Sequence, residues 1–178
     1  MANEVLLLTG PPGSGKTTTA RLIATSATHG AHVEADAFFH FVRGGYREPW
    51  LPESHSQNAI VMQAVASAAA TYADGGYTTV VDGIISPKWF LRPLSEALSA
   101  RGHAVSYAIL RPPLATCIAR AVGRAGGGLS NRDVITKLWN DFADVDGFER
   151  HVVQVEDDAP ELVALTVAER WRAATLRI

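Results

Sequence analysis

The stretch Gly10-Pro11-Pro12-Gly13-Ser14-Gly15-Lys16-Thr17 constrains this chain more than any other, because of what flanks it. Before it runs Val5-Leu6-Leu7-Leu8, continuously apolar, as a strand covered on both faces must be. After it Ala20, Ile23, Ala24 and Ala27 recur at helical spacing on one face. Glycines at such a strand-to-helix turn let successive backbone N–H groups converge, and the helix aims the positive end of its dipole at the same point. A turn built this way holds an anion.

The eight residues satisfy G-x-x-x-x-G-K-[ST], the phosphate-binding loop of nucleotide-binding proteins. Gly10, Pro11, Pro12, Gly13, Ser14 and Gly15, with Lys16, Thr17 and Thr18, are the expected nucleotide-binding residues. Lys16 neutralises β/γ-phosphate charge, and Thr17 offers a hydroxyl to Mg²⁺, an ion that keeps most of its waters and takes few protein ligands. A glycine-rich turn that binds nothing is the bland alternative; the strand before the loop and the amphipathic helix after it argue against it.

Composition sets the class. The 178 residues carry 16 basic and 18 acidic side chains, a net charge of −2, with 47% apolar and 19% charged residues, which suits a packed domain and disfavours disorder. Without a basic excess, neither nucleic acid nor a membrane surface is an expected partner. Thirteen of the basic residues are Arg; only Lys16, Lys88 and Lys137 are Lys. We read the arginine excess as compositional. Cys117 is the only cysteine, which excludes an internal disulfide and a cysteine zinc site. The Met1-Ala2-Asn3-Glu4 start has no basic region and no apolar run is long enough to span a bilayer, so a cytoplasmic location is expected.

Short β-rich runs alternate with helical stretches, the mark of a parallel α/β sheet. Further strands are expected at Ala31 to Ala35, Thr78 to Asp82, Ala104 to Leu110 and His151 to Val155. Ser54 and Gln57 form a capping-box signal for a helix with Met62, Val65, Ala66, Ala69 and Ala73 on its apolar face. Ser86 with Pro87 predicts the start of a helix carrying Leu91, Leu94 and Leu98. Leu114, Cys117, Ile118 and Ala121 mark the next. Ser130 and Asp133 are expected to cap a helix with Ile135, Leu138, Phe142 and Val145. Asp158 to Glu161 opens a terminal helix through Leu162, Leu165 and Trp171. One three-layer domain spanning 1–178 is expected.

Asp36, ending the second strand, stands where ligands of open α/β sheets collect and could take the proton of a substrate hydroxyl. It could equally cap the residues after it. Asp82-Gly83 ends the third strand, from which a carboxylate can hold a water of the Mg²⁺ shell; a strand-ending turn is the alternative. Arg120 and Arg124 lie one helical turn apart beside Gly126-Gly127-Gly128, suited to a lid over 120–133 that brings guanidinium groups to a transferring phosphate, with a solvated arginine pair as the other reading. Phe38, Phe39, Phe41, Tyr46 and Trp50, with Arg43 and Arg47, populate a segment over 37–76 suited to an organic acceptor, or to core packing.

These motifs together resemble the small P-loop kinases that include gluconate kinase, shikimate kinase, chloramphenicol phosphotransferase and zeta-toxin-like proteins, with the closest likeness to bacterial members carrying Pro49-Trp50-Leu51-Pro52-x-Ser54-His55. The resemblance implies an adenylate-kinase-like P-loop fold with sheet order 2-3-1-4-5 and a mobile lid. It implies ATP and Mg²⁺ as cofactors. Asp36, Lys16, Arg120 and Arg124 would be catalytic, with Arg120 also touching nucleotide. Thr17 and, through water, Asp82 would hold the metal. The implied acceptor residues are Phe39, Arg43, Arg47, Trp50 and Lys88, taking a small molecule such as a sugar acid or an antibiotic. Phe39 replaces the arginine with which adenylate kinases grip an acceptor phosphate, which disfavours a nucleoside monophosphate. An ATP-binding regulatory module with slow hydrolysis and a nucleotide-sugar kinase stay open as alternatives.

Overall fold

The computed structural model describes residues 4–123, 129–156 and 158–178. Five parallel strands, β1 (Glu4–Thr9), β2 (Gly30–Glu34), β3 (Thr78–Gly83), β4 (Ala104–Arg111) and β5 (Val152–Gln154), form one sheet in the order β2-β3-β1-β4-β5. The helices are α1 (Lys16–Ser26), α2 (Ala35–Phe39), α3 (His55–Asp74), α4 (Leu91–Ser99), α5 (Leu114–Val122), α6 (Arg132–Asn140) and α7 (Pro160–Arg172).

Alternation along β1 divides the core. Val5 and Leu7 face one cluster, which contains Val61, Met62 and Val65 of α3, Leu91 and Leu94 of α4, and Phe142. Leu6 and Leu8 face the other, with Ala20 and Ile23 of α1 and Val163, Val167 and Trp171 of α7. All four β1 residues are fully buried, as a central parallel strand between two helical layers requires. β5 pairs only with Ile109 to Arg111, and the chain end covers the rest of that edge: Tyr107 N–H donates to Leu176 O at 2.8 Å and Ile178 N–H to Val105 O at 3.0 Å. Among the described residues no helix is long and apolar enough to cross a membrane.

Several local expectations are corrected. Ser54 holds the expected N-cap position of α3 but forms no side-chain cap; its hydroxyl donates to Glu48 O at 2.6 Å, and Gln57 bonds the backbone of Arg47 in both directions. Ser86 does not start α4, which begins at Leu91 after a turn that places Phe90 at φ 57°. Asn131, rather than Ser130 or Asp133, caps α6, its Oδ1 accepting from the N–H groups of Asp133 and Val134. α7 buries Val163, Ala164, Val167 and Trp171, whereas Leu162 and Leu165 are exposed. In the first case the cap hydroxyl turned to a carbonyl of the preceding loop. In α7, two equally helical stripes competed and the packing chose the less bulky one.

Candidate active site

The loop between β1 and α1 is shaped by two glycines. Gly13 has φ 79° and its missing Cβ would lie 2.2 Å from Cys117 O, so α5 packs directly beneath the loop. Gly15, at φ 90°, is the N-cap of α1. An L side chain rarely adopts either conformation. Lys16 opens α1, is buried, and with Pro12 and Gly13 borders the main cavity, of about 1110 Å³.

Beneath Lys16 lies a three-residue arrangement. Thr17 Oγ1 donates to Asp82 Oδ2 at 2.7 Å, and His32 Nε2 donates to Asp82 Oδ1 at 2.5 Å. Asp82 is 1% exposed, so these two donors compensate much of the cost of burying its charge. Parallel pairing sets Glu34 opposite Asp82 and His32 opposite Val80, which makes His32 the diagonal neighbour of Asp82 on one sheet face. His32 was not among the expected site residues, and nothing in the sequence near it signals the contact. The oxygen donors Thr17 and Asp82 suit a hard cation that keeps most of its waters, and so fit Mg²⁺. Among the described residues no group of three His, Cys, Asp or Glu side chains could hold a metal by itself.

Asp36 is not at the strand terminus but in the first turn of α2, and it caps nothing: the N-cap is Glu34, without a side-chain bond. Its exposed carboxylate borders the same cavity as Lys16. Phe39, Trp50 and Lys88 also border it. Lys88 Nζ pairs with Asp144 Oδ2 at 2.9 Å, which raises the lysine's pKa and lowers that of Asp144. Arg43 and Arg47 do not border the cavity. Arg47 turns back instead, with a guanidinium contact to Glu53 O at 3.5 Å. Arg120 donates to Glu156 O at 3.3 Å, beyond β5, and is also absent from the cavity wall. Arg124, with 125–128 of the expected lid, lies outside the described residues; Leu129, Ser130 and Asn131 border the cavity.

The wall contains groups that sequence reasoning did not select, among them Glu34, Glu48, Asn58, Trp89 and Asp141. Burial raises the pKa of Asp141, against the pull of Lys137 and Lys88. Burial, then Glu48 and Asp36, raise that of Tyr46, whose hydroxyl donates to Glu48 Oε2 at 3.2 Å. Asn58 Nδ2 donates to Pro49 O at 2.8 Å and fixes the Trp50 loop against α3, while its Oδ1, fully buried, has no donor among the described residues. The run Pro49 to His55 and the aromatic segment before it, already conspicuous in the sequence, were the signals available for this wall.

The chain matches no curated protein sequence. The AAA domain family matches residues 5–146. A tunicamycin resistance protein from Deinococcus radiodurans superposes with a TM-score of 0.68 at 18% identity, covering 95% of both chains. A gluconokinase from Sinorhizobium meliloti 1021 gives 0.63 at 17%, covering 97% of this chain and 95% of that one. The Mycobacterium tuberculosis APS kinase CysC, in complex with AMPPNP and APS, gives 0.64 at 18%, covering 96% and 98%. These likenesses establish a shared fold, with the sheet order expected from the sequence. With its phosphate loop, its Thr17–Asp82 pair and a family match over most of its length, the chain belongs to the AAA domain family and has the fold of the small P-loop kinases.

Proposed function

We propose that the protein is an ATP- and Mg²⁺-dependent phosphotransferase that moves the γ-phosphoryl group to a hydroxyl of a small molecule. One observation carries the reading: a single cavity is bordered at one end by the phosphate loop and Lys16, and elsewhere by Asp36 and an aromatic and polar wall. A hydroxyl seated beside Asp36 would share an enclosed space with the phosphoryl group held over Lys16.

The loop N–H groups and Lys16 hold the β- and γ-phosphates in place. Asp36 orients the acceptor hydroxyl and takes its proton as the oxygen–phosphorus bond forms. The bond from the γ-phosphorus to the β–γ bridging oxygen breaks in line, and ADP leaves with that oxygen. Thr17 and Asp82 would hold Mg²⁺, which when bound neutralises charge on the phosphates. His32 keeps the Asp82 carboxylate turned toward Thr17. Arg120 and Arg124 are proposed to join the site when the 120–133 segment closes on nucleotide, which requires Arg120 to leave Glu156 O.

The fold likeness to small-molecule kinases supports the reaction type. The test is acceptor-stimulated ADP release over a panel of hydroxyl compounds. Lys16→Met is expected to abolish it, and Asp36→Asn to lower it by about 10²- to 10⁴-fold with ATP affinity retained. Full turnover in Asp36→Asn would remove the base assignment. ATP binding with no stimulation by any acceptor would remove the phosphotransferase reading.

A further inference from the structure

The charge and donor balance of the cavity narrows the acceptor, an inference that rests on the phosphotransferase reading above. Outside the phosphate loop the described wall carries the carboxylates of Glu34, Asp36, Glu48 and Asp141, against the ammonium groups of Lys88 and Lys137 and the imidazoles of His40 and His55. Both lysines are engaged: Lys88 with Asp144 at 2.9 Å, and Lys137 near Trp50 O at 3.5 Å, each also acting on Asp141. Among the described residues, Glu34, Asp36 and Glu48 have no cationic side chain within 4 Å. Asp36 is used by the hydroxyl. Glu34 is left over, and Glu48, whose Oε2 accepts from the uncharged Tyr46 hydroxyl, also has no cation beside it.

A second observation points the same way. Asn58, 1% exposed, borders the cavity with its Oδ1 lacking any donor among the described residues. Buried acceptors without partners are costly, and a side-chain rotation that turned this buried oxygen into the cavity would let a ligand N–H or O–H remove that cost. Trp50, Trp89 and Met62 add apolar surface to the wall, and aromatic faces also attract cations. Two carboxylates without a neighbouring cation, an orphaned amide oxygen and two indoles ask for a ligand rich in donors, positively charged, and flat on one side. They oppose a carboxylate.

We propose that the acceptor is a hydroxyl compound bearing a protonated amine and an apolar or aromatic face, with the ammonium against Glu34 and Glu48 and the flat face on Trp50 and Trp89. Sugar acids, which the sequence alone left open, are then disfavoured by the field of the wall.

The experiment uses three probes that share a ring and an aryl group and differ in charge: phenyl 2-amino-2-deoxyglucoside, phenyl glucoside and phenyl glucuronide. Each is titrated calorimetrically into the intact protein loaded with a non-hydrolysable ATP analogue. The amine is expected to bind at least about tenfold more tightly than the glucuronide, the sum of two modest ionic and cation–π terms, with the neutral glycoside between. In a Glu34→Gln/Glu48→Gln variant the difference is expected to collapse. Tighter or equal binding of the glucuronide, absence of binding by all three, or full discrimination in the double variant overturns the proposal. ADP release is followed in parallel with ATP. Amine-selective binding without any transfer leaves this acceptor class standing and sinks the phosphotransferase reading; transfer to the glucuronide alone does the reverse.

Discussion

Replacing His32 by Ala removes one of the two donors that hold the buried Asp82 carboxylate. A hydrogen bond to a charged group contributes about 1.5–3 kcal/mol, and the carboxylate left behind is 1% exposed, while water entering through the partly exposed His32 position keeps the loss within that range. For a chain of this length each kcal/mol shifts Tm by about 2–4 °C, which puts the expected loss at roughly 3–12 °C. The single variant also leaves a cavity, so the cycle with Asp82→Asn isolates the pair. Once Asp82 is a neutral amide, His32→Ala is expected to cost less, with a coupling energy of about 1–3 kcal/mol from urea denaturation. Manganese binding in the presence of ADP gives an independent readout: loss of the fixed carboxylate is expected to weaken it without acceptor chemistry being involved. A coupling energy below about 0.5 kcal/mol would show that Asp82 does not depend on His32 and would refute the reasoning.

Gly13→Ala places a Cβ 2.2 Å from Cys117 O at φ 79°; it is expected to cost at least about 1–2 kcal/mol of stability and to weaken nucleotide binding, and an unchanged denaturation midpoint would contradict this. His151 is buried with its pKa lowered by burial, its Nδ1–H donating to Tyr107 O and its Nε2 accepting from Arg150. Below its ordinary pKa of about 6.5 the unfolded chain binds the proton that the folded one resists, so its contribution is complete above that pH and is lost as pH falls through the lowered folded value. Stability curves of His151→Gln and the parent are expected to converge over that window; parallel curves refute it. Burial pushes the Cys117 thiol up to about 11, so a thiol reagent at pH 8 is expected to react only after unfolding in denaturant, and rapid native labelling would contradict the packing of α5.

The strand–loop–helix unit at the start of the chain was legible because its signals are local. An apolar run, glycines where only glycine fits, and a lysine opening a helix need no distant partner to be recognised. Sheet order followed from the family resemblance those residues carried. Cavity membership was partly legible: Phe39, Trp50 and Lys88 border it, whereas Arg43, Arg47 and Arg120 turn to backbone carbonyls or solvent. A long side chain can reach in several directions, and sequence position does not choose among them.

The sequence by itself determined the phosphate loop, the five strands and the two carboxylates, Asp36 and Asp82, at the strand and helix junctions where chemistry collects. Tertiary structure decided what surrounds them. The β2–β3 register brings His32 diagonally beside Asp82, a relation between residues 50 apart that no local pattern encodes. Ser54 and Gln57 carry cap-like signals, yet with Asn58 they bond residues 47–49 and so place Trp50 and Glu48 on the cavity wall. The reason is the same in each case: a polar side chain takes whichever partner the packed chain leaves within reach, and burial makes that partner worth more than a solvated local one.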